Sequence, residues 1–360
     1  MVQYTIRRLL LAVPVIIAVL VLTFALSRAI PGDPCRAILG EKATQAVCDQ
    51  FLKDHGLDQP IAVQFVVFVR ELMKGNLGDS IRFSRPVTII LIERLPTTIE
   101  LGASAMMLAV LIGVPLGILS AVRRNSALDV VTMVGANFGV SIPVFFLGLM
   151  LIYFFAVVLR DTPFALPPSG RLSPGLSPTP FYEVFNLTAG DKESVRYHFY
   201  EFIANHYIFN SLITGDWKIF GDAIKHMILP AIALATIPLA ITARMTRSSM
   251  LEVLGLDFVR TARAKGLPES KVIFKHAFRN ALLPVITIVG LQLGAILSGA
   301  VLTETIFGLA GVGRSVVESI FARDFPVLQG FVVVIAIIYI FFNLIVDLSY
   351  AILDPRVHLD

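Results

Sequence analysis

Six long apolar runs decide what this chain of 360 residues can fold into; they lie at about 8–28, 97–122, 129–159, 227–248, 282–304 and 327–352. A helix needs ~20 mostly apolar residues to cross the hydrocarbon core of a bilayer, and each run is long enough. Lipid offers no hydrogen bonds, so a spanning segment without a closed barrel must bond its own backbone as a helix. With 16% charged and 56% hydrophobic residues, an ordinary soluble domain is excluded. The expected fold is an all-α polytopic membrane protein with six transmembrane helices. The third run is long enough to tilt, or to bend at Pro143.

The first run follows Arg7 and Arg8, and Ala25-Leu26-Ser27 loosely resembles a cleavage site. Its apolar core is too long for the usual signal peptide, so it is read as an uncleaved first span. The formal net charge of +4 is small and spread along the chain, which argues against nucleic acid as a partner. Two cysteines and no Cys/His cluster leave no basis for a metal site.

Six spans place both termini on one side. Basic residues close to helix ends mark the cytoplasmic face. Arg7-Arg8, the short link with Arg123-Arg124, and the link between spans 4 and 5 share that face if both termini are cytoplasmic. The layout is then an N-terminal segment with span 1 (1–28), an outer region (29–96), spans 2 and 3 (97–159), an outer insertion (160–226), spans 4 to 6 (227–352) with a cytoplasmic loop at 249–281, and a tail (353–360).

The first outer region contains PIAVQFVVFVRELMKG, whose apolar residues recur at helical spacing, so an amphipathic helix is expected there. The insertion opens with a Pro/Ser/Gly-rich loop and continues as the aromatic RYHFYEFIANHYIF. It reads as helices resting on the outer surface, with a small folded cap as the other reading. Gly113/Gly117, Gly135/Gly139 and Gly290/Gly294 each form a Gly-xxx-Gly ridge, the last extended by Ser298. Such ridges let helix backbones approach in a membrane, and all six glycines are assigned to helix packing. Cys35 and Cys48 lie thirteen positions apart in the first outer region. An oxidising compartment permits a bridge, while spacing alone does not decide between a disulfide and two free thiols.

Several chemistries find no support. No G-x-x-x-x-G-K-[ST] phosphate loop, H-E-x-x-H or G-x-S-x-G occurs, so neither catalytic residues nor bound ATP are expected on this chain. His198 and His206 would stand ~12 Å apart on a helix, too far to share an ion. Asn186-Leu187-Thr188 fits a glycosylation acceptor that matters only in a eukaryotic secretory setting. Ionisable residues inside the spans are few: Glu100 and Asp347 sit about a turn from span ends, while Gln292, Asn137 and Asn343 do not titrate. A proton-driven carrier would need more. The chain reads as a membrane pathway without an engine of its own.

The stretch RTARAKGLPESKVIFKHAFRN (260–280) carries six Lys/Arg and one acidic residue. Gly266 suits a helix C′ position and Pro268 stops the helix beyond it. Two short helices around this corner make a shaped protrusion. Anionic membrane lipid would attract its charge, but lipid does not require the corner, and a groove in a protein does.

Here the chain resembles the inner-membrane permease subunits of ATP-binding-cassette (ABC) importers, in the dipeptide/oligopeptide/nickel branch. The resemblance rests on PGDP (31–34), GLDQP (56–60), GNLGDSI (75–81), HMILPAIALATIPLAITARMTRSSMLEVLGLDFVRTARAKG (226–266), HAFRNALLPV (276–285), LTETIFGLAGVGR (302–314) and NLIVDLSYAILDPR (343–356). It implies a type I importer permease fold in a bacterial inner membrane. It also implies a homologous second permease subunit, two ATP-binding subunits carrying ATP and Mg, and a periplasmic substrate-binding protein. The link before span 5 then resembles the EAA coupling loop. Arg260, Thr261 and Ala262 stand where many importers have Glu-Ala-Ala, and Gly266 matches the motif glycine. The Leu-Pro of the general motif has no match at the usual distance; Leu283-Pro284 comes later. By this resemblance, Arg260, Thr261, Ala262, Arg263, Ala264, Lys265, Gly266, Leu267, His276, Arg279 and Asn280 are the residues expected to meet the ATPase subunits. The expected cargo is dipeptides or short peptides, with nickel chelates, haem or another peptide-like solute as alternatives. A proton-coupled peptide carrier is the rival class. Pro230, Pro238 and Pro284 are candidate bending points.

Overall fold

The computed structural model describes residues 2–29, 34–40, 42–54 and 56–353. Residues 31–33 of the PGDP motif, the tail from 354 onward and the side chain of Ser298 lie outside the described residues.

Among the described residues five helices are long and apolar enough to cross a membrane, or six when one bent pair counts as a single span. They are α1 (Val2–Ala29), α5 (Val87–Val122), α11 (Trp217–Leu254), the run ending in α14 (Arg279–Ile306), and α16 (Phe325–Leu353). The bent pair is α6 (Ala127–Ser141) with α7 (Val144–Ile152), the latter continued by a π-helical turn at Tyr153–Val158. Its halves meet at 98°. The cause is local: Pro143 has no N–H to give, and Ile142 before it is extended at φ −82°, ψ 122°. The third run is therefore broken rather than tilted.

Shorter helices fill the outer regions: α2 (Pro34–Leu39), α3 (Gln45–Asp54), α4 (Ile61–Met73), α8 (Phe181–Val184), α9 (Val195–Ala204) and α10 (Tyr207–Thr214). A disulfide joins Cys35 to Cys48 across α2 and α3, with Cα atoms 5.4 Å apart. No residue of α4 is buried; its Phe65 and Phe68 lie against Phe24 of α1, at 5.2 and 6.2 Å between ring centres. The insertion folds as a small cap with its own core of Phe181, Tyr182 and Ala204, packed with Tyr200 and Ile203. Aromatic rings pair better with one another than with water, and the ring contacts of Tyr200 with Phe181 and Tyr182 hold the cap together.

The helix pair α5 and α11 is the spine. Leu101, Ala105 and Ala109 pack with Leu229, Ala233 and Leu234, and Ile296 and Ala300 of α14 complete that core. Small residues set the approach. A methyl on Gly113 would stand 2.9 Å from the Leu239 carbonyl, and one on Gly117 2.6 Å from that of Ala243. Gly290 and Gly294 hold the same role against Val346 and Tyr339 of α16. The ridge on α6 differs. Gly139 is only in ordinary contact with Thr236, at 3.6 Å, and Gly135 has nothing within 4 Å. Gly135 therefore packs no helix of this chain, because α6 diverges from α11 there and leaves a shallow groove between them.

Candidate functional site

At one end of the spine the chain leaves α11 at Gly255 and enters α12 (Asp257–Ala264), which carries Asp257 in its first turn. Val259 and Ala262 face inward and join Ile118, Ala121, Met250, Val253, Val272 and Ala277 in one apolar cluster. This cluster roots α12 on the ends of both spine helices. The corner that follows is a Schellman-type cap. Gly266 has φ +73°; its N–H donates to the Arg263 carbonyl at 2.9 Å, and that of Leu267 to Ala262 at 3.4 Å. Leu267 turns back onto the apolar cluster. Pro268 then opens α13 (Glu269–Lys271), which runs through a π-helical stretch, Val272–Phe278, into α14.

A fork closes the corner from outside. Arg263 donates through Nη2 to Glu269 at 2.7 Å and through Nε at 3.2 Å. Glu269 beside it raises the guanidinium pKa above its ordinary value. The Asn280 side chain donates to the His276 carbonyl at 2.6 Å, tightening the π-helical exit.

The outer face of the segment is mixed. Arg260, Thr261, Ala264, Lys265, Lys275, Arg279 and Asn280 are exposed, and His276 is half-buried. Three large apolar side chains stand beside them: Leu256 at 46% exposure, Phe258 at 41% and Phe274 at 60%. Aromatic anchors ringed by cations form a surface suited to a protein groove. Two expected contact residues do not belong to it. Ala262 is 6% exposed, since the amphipathic period of α12 turns it toward the core, and Leu267, beyond the end of that helix, is folded back onto the apolar cluster by the Gly266 cap. Phe258 and Phe274 take their place. Their signal in the sequence was an aromatic on the polar side of an otherwise basic helix.

A second feature behind this surface also went unread. Arg247 of α11 grips Asp129 of α6 with two hydrogen bonds, Nε to Oδ1 at 2.7 Å and Nη2 to Oδ2 at 2.8 Å. The Ser120 hydroxyl of α5 donates to the same carboxylate, as does the Asn125 backbone N–H at 2.9 Å. Asp129 is buried, and three helix ends are thereby tied at one point. In the sequence Arg247 is one of several arginines in the link between spans 4 and 5, and nothing there pairs it with Asp129.

At the opposite end the polar groups close on one another. Glu100 of α5 accepts from Arg171 Nη2 and from the Ile208 N–H, each at 2.8 Å. The guanidinium lies 3.6 Å from the centre of the Tyr207 ring. Glu304 of α14 is fully buried; it accepts from the Thr98 hydroxyl at 2.6 Å and the Arg314 N–H at 2.9 Å. It thus caps α15 (Val312–Ala322). Asp324 receives the Ser80 hydroxyl and the Ile81 N–H. His206 Nδ1 bonds to the Phe202 carbonyl at 2.8 Å, and burial holds its pKa below the ordinary value.

Comparison with known proteins gives the arrangement a family. Residues 113–359 match the family described as the binding-protein-dependent transport system inner membrane component. Residues 1–102 match the N-terminal region of the same membrane components. The dipeptide transport system permease protein DppB of Alkalihalophilus pseudofirmus is 44% identical over 359 residues, 99% of each chain. The protein of that name in Escherichia coli K12 is 42% identical over 358 residues, again 99% of each. A di/tripeptide transport system permease protein DppB of Pseudomonas aeruginosa is 40% identical over the same share. The chain belongs to the inner-membrane components of binding-protein-dependent transport systems, the multi-pass permease subunits of ABC importers.

Proposed function

We propose that this chain is one half of a heterodimeric pore that imports dipeptides or short peptides, driven by two ATPase subunits that hold ATP and Mg. The observation that carries the reading is the rooted, outward-facing segment 257–280, whose apolar base sits on α5 and α11. A force applied there reaches both spine helices. The peptide cargo rests on the names of full-length relatives at 40–44% identity. ABC permeases work with ATPase and substrate-binding partners in general. Here the periplasmic binding protein would deliver the peptide at the end that carries the 160–226 cap, with both termini in the cytoplasm.

Within this reading Arg260, Thr261, Arg263, Ala264, Lys265, His276, Arg279 and Asn280, with Phe258 and Phe274, meet the ATPase. Gly266 sets the corner. ATP closure shifts the pore between inward- and outward-facing states only through contacts that differ between them. The experiment is uptake of a labelled dipeptide into liposomes holding this chain with its partner subunits. Uptake requires ATP and survives a protonophore. Uptake by this subunit alone, or uptake that a protonophore abolishes while ATP is held constant, returns the reading to a proton-coupled carrier.

A further inference from the structure

Far from the coupling segment, where α1 ends and α16 begins, a cavity of about 350 Å³ opens between α1, α4 and the loop at 76–81. Arg28 projects into it between two rings, its guanidinium 5.1 Å from the Phe24 centre and 4.7 Å from that of Phe325. Among the described residues no carboxylate pairs with Arg28. Its buried Nε has no hydrogen-bond partner, nor has the buried Oε1 of Gln64, which lines the same cavity. The walls beside them are apolar and open outward: Val63 is 44% exposed and Val67 50%. The adjoining turns of α1 expose Leu22 and Leu26.

Two acidic residues complete the charge pattern. Glu71 lines the cavity, but its oxygens are taken by Lys74 at 2.6 Å and Asn76 at 3.0 Å. Asp79 lines it as an exposed carboxylate, paired by no side chain among the described residues. Among the described residues the cavity thus offers an unpaired cation set between rings and an unpaired anion exposed to water. Apolar walls lead from it toward surface that lipid would cover.

We propose that this cavity holds the headgroup of a zwitterionic amine phospholipid, its phosphate on Arg28, its ammonium toward Asp79 and its acyl chains along Leu22, Leu26 and Val67. An arginine fork suits a phosphate, and the flanking rings keep water from it. An anionic lipid without an amine leaves Asp79 unmatched and is repelled by it. A general attraction of helix-end arginines to headgroups would show no such selection.

The test uses the assembled transporter in nanodiscs of equal phosphatidylethanolamine and phosphatidylglycerol. The lipid retained per chain after a detergent wash is read by mass spectrometry. Wild type retains a single phosphatidylethanolamine in preference. Arg28→Gln lowers that retention about tenfold, the weight of one charge-assisted contact. Asp79→Asn keeps a lipid but brings the two headgroups to parity. Val67→Trp fills the cavity and displaces the lipid while leaving every charge in place, which separates occupancy from misfolding. Arg70→Gln, on the exposed side of α4, changes nothing. Equal retention by wild type and Arg28→Gln overturns the proposal. So does displacement by inorganic phosphate alone, an unchanged headgroup preference in Asp79→Asn, or a photo-crosslinker at position 67 that captures a protein instead of lipid.

Discussion

The two ends of the α5–α11 spine treat charge in opposite ways. At the cap end Glu100, Glu304 and Asp324 are all buried, and each finds its partners within this chain. At the end proposed for coupling one carboxylate, Asp129, is buried and paired, while the cations of 260–280 face outward beside exposed Phe258 and Phe274. Internal closure makes the cap end a fixed piece, because a buried charge stripped of its partner costs far more than the pair contributes. Outward charge leaves the coupling end unfinished as a monomer and ready for another surface. One helix pair thus joins a region whose buried carboxylates are paired internally to one that a partner would complete.

The largest effect should come from breaking the lock behind the coupling surface. Asp129→Ala leaves Arg247 without its carboxylate and removes the polar tie between α6, α5 and α11; because Arg247 keeps some contact with water, a loss at the low end for such a pair, about 3 kcal/mol, is expected. ATP-driven uptake should fall more steeply than ATP hydrolysis in the reconstituted transporter. Equal falls in both would mean that the lock only maintains the fold. Arg171→Met tests the cap end. It leaves Glu100 buried without its ion pair at a cost of about 3 kcal/mol, and limited proteolysis should cut sooner within 160–206. Unchanged proteolysis would show that the aromatic core of the cap suffices without the ion pair.

What the sequence could and could not tell follows the same division. Apolar runs are long-range averages, so the spanning helices were legible, and so was the amphipathic α4. The 98° break was readable only as a permitted bend at Pro143, since a proline in a membrane helix marks a site of bending but not its size. Gly113 and Gly117 met a partner helix while Gly135 did not, because a small residue permits approach without supplying a neighbour. The corner at Gly266 was legible from Gly-Leu-Pro. Which side of α12 faces out was not, nor that the cap at Gly266 folds Leu267 inward, so Ala262 and Leu267 were expected on a surface from which both turn away. Pairs such as Asp129–Arg247 and Glu100–Arg171 lie far apart along the chain, and a single sequence carries no signal of their meeting.

Smaller changes sharpen the contrast at the corner itself. Gly266→Val meets open space around its side chain, so its cost is the left-handed backbone alone, about 1–2 kcal/mol. The protein should still assemble, yet uptake should be lost because the corner changes shape. Normal uptake by Gly266→Val, with graded losses as surrounding cations are removed, would show that charge rather than shape couples this segment. Lys275→Ala should be the mildest: it removes one solvated cation and should leave uptake within about twofold.

The π-helical stretch Val272–Phe278 stands between the corner and the membrane half of α14. A π turn holds one residue more than the α-helix around it requires. Each residue of an α-helix advances the side chains by about 100°, so that surplus fixes the rotational phase of everything on one side relative to the other. Deleting a single residue there would restore a regular helix and swing Phe274 and Lys275 to a new bearing while α14 kept its packing. The bearing of the coupling face is therefore held by one surplus peptide unit, a setting that composition, hydropathy and charge do not encode.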